Sequence, residues 1–203
     1  MNLNPSQKQA VIHNKGPMLV LAGPGSGKTA VITQRTKYLI DHYGVNPSNI
    51  LVITFTKAAA EEMKERFYHL MEGDRPPVTF GTFHAIFFTI LKYAYNYRSE
   101  NIIPEEQKRQ YFREIIEKLE LEIEDEKDFI TGIEGEISLV KGERIDLEHY
   151  YSINCSEEIF KKIYFDYDNR LRRAGLIDFD DMLVLCYELL AERADILHLW
   201  QKK

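Results

Sequence analysis

A glycine-rich segment between an apolar run and a helical pattern constrains this chain more than any other feature. Residues 18–22 form a short, continuous apolar run, which is typical of a strand covered on both faces. Residues 22–29 read Ala-Gly-Pro-Gly-Ser-Gly-Lys-Thr, and helical spacing follows to about Tyr43. Glycines allow a tight turn that points amide N–H groups into one concavity, and a helix N-terminus adds about half a positive charge. The sequence therefore predicts a strand, an anion-binding turn and a helix in succession.

This succession is the context of a P-loop, which binds the phosphates of a nucleoside triphosphate. Lys28 would reach the β- and γ-phosphates, and the Thr29 hydroxyl would bind Mg²⁺, so both are candidate catalytic residues and Thr29 is the candidate metal ligand. The strict motif begins with glycine, but that position needs only a small side chain, and Ala22 provides one. The predicted binding residues are Ala22, Gly23, Pro24, Gly25, Ser26, Gly27, Lys28 and Thr29. Kinases, GTPases, transporters and helicases all share such a loop.

Two further strand and helix patterns follow in the first half of the chain. Residues 50–54 form a second apolar run before helical spacing over residues 57–71, and a shorter strand at 78–80 precedes a helix over 83–97. Three strand–helix units predict an α/β fold with a parallel sheet and right-handed crossovers.

The second half of the chain has helical periodicity without a convincing strand pattern. Apolar residues keep helical spacing through two stretches, residues 112–123 and 160–171. We therefore predict a helical subdomain over about residues 99–174, followed by another helix from Asp178 to Leu190.

Composition and charge narrow the function classes. Apolar residues make up 44% of the 203 residues and aromatic residues 12%, which is enough for a packed core and excludes a disordered chain. Residues 1–98 carry 11 Lys and Arg against 6 Asp and Glu, whereas residues 99–203 carry 15 against 26. This balance argues against a general polyanion binder but leaves the first half compatible with phosphate ligands.

Cysteine spacing and the lack of a long apolar run indicate a compartment. Cys155 and Cys186 match neither a zinc motif nor a disulfide framework. No apolar run approaches the roughly 18 residues that a membrane helix needs, and the first five residues do not resemble a signal peptide. We expect a cytoplasmic protein with no membrane partner.

Five segments in order resemble a known family. They are Leu-Asn-Pro-Ser-Gln-Lys-Gln-Ala-Val at 3–11, the P-loop at 22–29, Ile-Thr-Phe-Thr-Lys-Ala-Ala-Ala-Glu-Glu-Met at 53–63, Gly-Thr-Phe-His-Ala at 81–85 and Asp-Phe-Asp-Asp-Met at 178–182. The series resembles the N-terminal part of UvrD/Rep-type superfamily 1 DNA helicases, most tightly over residues 3–96 and 176–190. The resemblance implies a P-loop NTPase fold of the RecA-like type, with ATP and Mg²⁺ as cofactors. It also implies a first ATPase lobe at residues 1–98, an inserted all-helical subdomain at 99–174, and a return to the lobe at 175–203.

The resemblance also implies roles for residues near the nucleotide. Gln7 matches a glutamine that reads the adenine edge, and Arg35 is placed with the nucleotide-binding residues. An amide can donate and accept at once, which suits adenine, although Gln7 could also be only a polar residue near a helix start. Many family members have arginine directly after the P-loop threonine, where this chain has Ala30. This departure weakens the expected contact with one face of the adenine.

Four residues match family positions that contact single-stranded DNA. Phe55 and Thr56 follow the second predicted strand, and Thr82 and His84 lie at the third. An aromatic ring stacks on any base, which suits binding without sequence preference. Phe55 could instead pack in the core, Thr56 could be only a helix N-cap, and His84 could be structural.

The acidic residues Asp178, Asp180 and Asp181 admit two interpretations. A metal site is the first, and a cap that stabilises the following helix is the second, which we favour.

The family pattern continues beyond these segments. No apolar run in this chain ends in the Asp-Glu pair of the family's next motif, so we expect an N-terminal fragment of a DNA helicase. Such a fragment would bind ATP and single-stranded DNA but hydrolyse negligibly and unwind nothing, and the strand at 18–22 would keep an unpaired edge prone to association. Two alternatives stay open: a P-loop kinase for a small molecule, and a non-enzymatic interaction module whose acidic helical half binds a protein partner.

Overall fold

Two short parallel strands and the helix that connects them organise the first half of the chain. The computed structural model describes residues 3–203. The first two residues lie outside the described residues, and they belong to the N-terminal segment that does not resemble a signal peptide. The elements of this half are α1 (Pro5–Ile12), α2 (Lys28–Asp41), β1 (Leu51–Thr54), α3 (Lys57–Leu70), β2 (Thr79–Thr82) and α4 (Phe83–Tyr95).

Strands β1 and β2 form a parallel pair in which Leu51 lies opposite Thr79 and Thr54 lies opposite Thr82. The chain passes from β1 through α3 to β2, which confirms the second and third strand–helix patterns. The hydrophobic core beside these strands consists of four buried apolar side chains: Ile50, Val52, Phe67 and Val78.

The predicted strand at residues 18–22 does not form, so that part of the fold prediction is wrong for this structure. The segment has no assigned strand, and the side chains of Leu19 and Leu21 are 85% and 87% exposed. A strand is stabilised by ladder hydrogen bonds to a neighbour, and within residues 3–203 no strand pairs with this segment. The sheet of the described residues therefore has two strands, in a molecule that is mixed α/β and mostly helical.

The second half is helical, as its periodicity predicts. Its elements are α5 (Glu105–Lys118), α6 (Glu126–Gly142), α7 (Glu157–Ala174), α8 (Phe179–Glu192) and α9 (Ala194–Gln201). The core formed by α5, α6 and α7 buries Phe112, Ile115, Ile133, Phe160 and Tyr167 almost completely. An isolated parallel bridge joins Ile102 to Ile177, where the chain enters and leaves this core.

The chain divides into two compact units. One comprises the chain up to Ile86 together with Leu197–Lys203, and the other comprises Phe87–Ile196. The boundaries drawn from the sequence after residues 98 and 174 stay predictions. Among residues 3–203, no helix has both the length and the apolar character that crossing a membrane requires.

Candidate functional site

Helix α1 is tied directly to the glycine-rich loop by Gln7. Asn4 caps α1: its Oδ1 accepts from the Gln7 backbone N–H at 2.8 Å, and Gln7 Oε1 accepts from the Asn4 N–H at 2.9 Å. Gln7 Nε2 donates to the Ser26 carbonyl at 3.0 Å. Both amide atoms of Gln7 thus have protein partners, which is what the helix-start interpretation expects. An adenine base would have to exchange for one of these partners, so the adenine role stays a prediction.

The glycine-rich loop leads into helix α2, whose N-terminus can bind an anion. Gly25 and Gly27 have φ values of +73° and +81°, a left-handed backbone that side-chain-bearing residues rarely adopt. Gly27 is the N-cap of α2, and no side chain caps this helix. The first amide N–H groups of α2 therefore lack the acceptor that Ser, Thr, Asp or Asn normally supplies. This is the donor arrangement that a phosphate satisfies.

Lys28 lies folded over the loop. Its Nζ donates to the carbonyl oxygens of Ala22 at 3.2 Å and Gly23 at 2.8 Å, while Ser26 Oγ also donates to the Gly23 carbonyl at 2.7 Å. These are short-range contacts that a phosphate oxygen can replace, because a charged acceptor makes the stronger hydrogen bond to an ammonium group. Thr29 is half-buried in the first turn of α2.

A cavity of about 490 Å³ adjoins the loop, within the size range of small-molecule sites. Its lining includes Asn4, Gln7, Leu21, Ala22, Lys28 and Arg35. The donor set fits a Mg²⁺–triphosphate: the Thr29 hydroxyl offers the ion one protein ligand, and Mg²⁺ characteristically takes its remaining ligands from phosphates and water.

Arg35 lines this cavity but already has partners. Its Nη1 donates to the Ala10 carbonyl at 3.0 Å and to the His13 carbonyl, which ties α2 to the end of α1. Burial lowers the pKa of the Arg35 guanidinium from its ordinary value. In this structure Arg35 positions α1, and its contact with nucleotide stays a prediction.

The carboxyl edge of the sheet brings the second group of predicted residues together. Thr54 and Thr82 lie opposite each other at the ends of β1 and β2, so Phe55 and Phe83 follow at the same edge. The Phe55 side chain is 87% exposed, which contradicts the core interpretation. Its ring centroid lies 5.4 Å from that of Phe83 at an interplanar angle of 49°. The two rings form an exposed aromatic surface, which we call the phenylalanine pair.

The hydroxyl residues at this edge act as helix caps. Thr56 Oγ1 accepts from the Ala59 N–H at 3.2 Å, and Thr82 Oγ1 accepts from the Ala85 N–H at 3.2 Å. His84 is half-buried in the first turn of α4. The capping interpretation of Thr56 is confirmed, and capping leaves the exposed face of this edge available to a ligand.

Sequence reasoning missed Phe83 as a candidate. The signal was present, because the chain reads Thr-Phe at residues 54–55 and again at 82–83, each time at the end of a strand. Parallel strands in register place two such repeats side by side.

The acidic motif is a helix cap held by a buried lysine. Asp178 Oδ1 accepts from the Asp181 N–H at 2.8 Å, and Asp181 Oδ2 accepts from the Asp178 N–H at 3.1 Å. Lys141 Nζ lies 2.8 Å from Asp178 Oδ2 and 2.7 Å from Asp181 Oδ1. No group of three or more His, Cys, Asp or Glu residues within 3–203 is arranged to hold a metal ion. The capping interpretation is confirmed.

The pKa values of the two carboxyl groups are shifted in opposite directions by burial and by the charges around them. Burial raises the pKa of Asp178, but the Lys141 ammonium and hydrogen bonds from Lys141 and Tyr167 outweigh it, so the net pKa is lowered. Burial and the neighbouring Asp178 charge raise the pKa of Asp181 above its ordinary value. The site is a compact ionic cluster with one cation for two carboxylates.

Comparison with known proteins gives a consistent result over the whole chain. The family model for the UvrD/REP helicase N-terminal domain matches residues 3–203. The chain is 35% identical over 209 residues to a putative ATP-dependent DNA helicase, YjcD, of Bacillus subtilis, covering 100% of this chain and 27% of that protein. It is 33% identical over 208 residues to the ATP-dependent DNA helicase PcrA of Bacillus subtilis, covering 99% of this chain and 28% of PcrA. PcrA of Staphylococcus epidermidis is 30% identical over 214 residues, with 28% of that protein covered.

Proposed function

Because the chain belongs to the UvrD/REP helicase family, we propose that it is the ATP-binding N-terminal part of an ATP-dependent DNA helicase that moves along single-stranded DNA. The chain spans little more than a quarter of the length of the relatives named above. The proposal includes a P-loop NTPase lobe of the RecA-like type with an all-helical insertion at residues 99–174. The uncapped N-terminus of α2, with Lys28 folded over it, is the observation that supports this proposal most directly.

ATP with Mg²⁺ is the proposed ligand of the glycine-rich loop. The amide groups at the start of α2 and the Lys28 ammonium would hold the phosphates, and the Thr29 hydroxyl would hold the ion. The metal, when bound, neutralises charge that develops on the transferred phosphoryl group. Gln7 and Arg35 lie beside the loop on the cavity wall, where an adenine or ribose would reach them.

Single-stranded DNA is the proposed ligand of the carboxyl edge of the sheet. The phenylalanine pair offers faces on which bases stack, and stacking is worth about 1–3 kcal/mol per base. Thr56, Thr82 and His84 lie at the same edge and would contact the backbone or a base beside the rings. Residues 1–98 are net basic, which suits a nucleic acid backbone.

We further propose that these 203 residues alone turn over ATP negligibly. Phosphoryl transfer depends on groups that complete the site from several directions, and loss of a trans-acting arginine alone costs about 10³–10⁵ in rate. The relatives are more than three times longer than this chain, and we place the completing groups in the rest of such a protein. A cytoplasmic location and a protein partner for the acidic helical segment are part of the same proposal.

The test is a calorimetric titration of the 203-residue protein with Mg²⁺–ATP, with and without an oligo-dT strand. We expect weak binding with a Kd of about 10⁻⁴–10⁻³ M, or roughly −4 to −5.5 kcal/mol. Lys28→Ala should abolish binding, whereas Lys15→Ala, which removes the same charge from an exposed residue, should not.

Two outcomes would contradict the proposal. A folded protein that binds no triphosphate would favour the interaction-module alternative. Robust DNA-stimulated hydrolysis that disappears in Lys28→Ala would show that the 203 residues hold a complete catalytic site.

A further inference from the structure

The helical unit contains a cleft that the proposed ATP and DNA sites do not use. It lies between α6, α7 and α8 and has a volume of about 600 Å³, within the range of sites that hold a side chain or small ligand. Its apolar wall includes Val140, Ile145, Val184 and Leu185, and two tyrosines, Tyr97 and Tyr164, also line it. An apolar wall with aromatic rings suits a ligand that has an aliphatic part.

The ionic cluster of the acidic motif forms part of the wall of this cleft. Asp178 Oδ2 accepts from Lys141 Nζ and, at 3.0 Å, from the Tyr167 hydroxyl, while Asp178 Oδ1 accepts from a backbone N–H. Both oxygens of Asp181 also accept, one from Lys141 and one from a backbone N–H. All four oxygens of the two carboxyl groups thus act as acceptors, which is how ionised carboxylates bind.

The cluster therefore has an excess negative charge in a buried place. The side chains of Lys141, Asp178 and Asp181 are 5%, 3% and 19% exposed, and one ammonium serves two carboxylates. The N-terminus of α8 offsets about half a unit of this charge. Part of a negative charge therefore stays uncompensated beside the cleft. A buried charge without a counter-charge carries an unfavourable desolvation free energy.

The remaining charged residues of the cleft leave this excess unchanged, because the two cations Arg144 and Arg172 equal the two carboxylates Asp168 and Glu188 in number. Arg172 is neutralised by Asp168, with Nε 2.9 Å from Oδ2. The Arg144 guanidinium lies 4.8 Å from the centroid of Tyr187, a ring that does not line the cleft. The half-buried Glu188 lines the cleft, and its carboxylate forms no hydrogen bond or ion pair with any residue in the described range 3–203.

We propose that this cleft binds the side chain of an arginine or lysine presented by a protein partner. The aliphatic stem would pack on Val184 and Leu185, as such stems do on apolar surfaces. The cation would face the Glu188 carboxylate and the tyrosine rings, whose faces attract cations.

The charge of the surrounding unit favours this occupant over a nucleic acid. Residues 87–196 contain 15 Lys and Arg against 26 Asp and Glu, so the unit repels phosphates and attracts a basic segment. The inference rests on the part of the proposed function that gives the acidic segment a protein partner, and it does not depend on the P-loop or on the phenylalanine pair.

The test uses two small probes that differ in one charge. Acetyl-Leu-Arg-Leu-amide and the same tripeptide with citrulline, which has the shape of arginine without its charge, are titrated into the ¹⁵N-labelled 203-residue protein. We expect saturable amide shifts around α6 and α8 with the arginine probe, and affinity lower by about tenfold or more with citrulline, because a charge-assisted hydrogen bond is lost.

Matched variants locate the site. Glu188→Gln removes the cleft carboxylate, and Glu192→Gln removes an equal charge from an exposed residue later in α8. We expect Glu188→Gln to weaken binding of the arginine probe about tenfold and Glu192→Gln to leave it within about twofold. Val184→Phe, which narrows the cleft without a change of charge, should also abolish binding.

Three results would overturn the inference: equal binding of the two probes, equal effects of Glu188→Gln and Glu192→Gln, or full affinity in Val184→Phe. Mg²⁺–ATP titrations of the same variants should match the parent protein. These titrations distinguish a wrong proposal for the cleft from a wrong proposal for ATP binding.

Discussion

Replacement of Lys141 by methionine tests the buried ionic cluster. The side chain of Lys141 is 5% exposed, and its ammonium donates to Asp178 at 2.8 Å and to Asp181 at 2.7 Å. Methionine keeps the length and apolar contacts of the stem but removes the cation. Two buried carboxylates would then face each other without a counter-charge, and breaking a buried pair in this way costs about 3–5 kcal/mol in the free energy of unfolding.

Urea denaturation followed by far-UV circular dichroism measures this loss, because the unit is almost entirely helical. With a slope of about 2 kcal/mol per molar urea, the midpoint at pH 7 should fall by roughly 1.5–2.5 M. Lys161→Met is the matched control: its partner is Glu157 at 2.6 Å, and both side chains are much more exposed, at 30% and 40%. The control should change the midpoint little.

The pH dependence separates a charge effect from a packing effect. In the parent protein the lowered pKa of Asp178 contributes stability above its ordinary value of 3.8, and this stability is lost as pH falls through the folded-state pKa. The raised pKa of Asp181 acts in the opposite direction, so its contribution declines as pH rises from 3.8 through the raised value. Without Lys141 both pKa values rise, and protonation relieves the repulsion at low pH.

The deficit of Lys141→Met should therefore be smaller near pH 4.5 than at pH 7. The double variant Lys141→Met/Asp181→Asn should recover part of the loss at pH 7, because only one carboxylate is then left without its cation. A loss below about 1 kcal/mol at pH 7, or an equal deficit at both pH values, would refute the reasoning.

Three further predictions concern exposed and buried side chains. Phe55→Ala should weaken binding of a fluorescent oligo-dT strand by about 1–3 kcal/mol in an anisotropy titration, because one stacking face is lost. Leu19→Lys with Leu21→Lys should reduce self-association in light scattering, since these side chains are 85% and 87% exposed. Burial raises the pKa of the Cys186 thiol to about 11, so at pH 8 iodoacetamide should label the half-buried Cys155 first, as read by mass spectrometry.

Each of these predictions has a control within the chain. Phe165→Ala removes a ring that is 52% exposed on α7 and should not affect oligo-dT binding. Ile153→Lys removes an apolar side chain that is 91% exposed elsewhere and should leave self-association unchanged. Equal effects of control and test variants, or labelling of Cys186 before Cys155, would contradict these predictions.

Local features of the fold followed from the sequence by itself. The helix of α3 begins after Thr56 and that of α8 after Asp178, where capping chemistry predicts a helix start. Strands β1 and β2 formed where an apolar segment precedes a helical pattern. The left-handed backbone of the glycine-rich loop required glycine at positions 25 and 27. The caps and the glycine turn depend on interactions within a few residues, which the order of side chains fixes directly.

Tertiary structure decided the features that depend on distant partners. Residues 18–22 have the composition of a strand, yet a ladder needs a second strand, and the described residues supply none for this segment. The register of β1 against β2 brought Phe55 beside Phe83. The fold also set Lys141 against Asp178, 37 residues away, and turned an acidic motif into a buried cluster. Sequence spacing cannot encode such pairings, because their energy comes from burial and hydrogen bonds that exist only after the chain has folded.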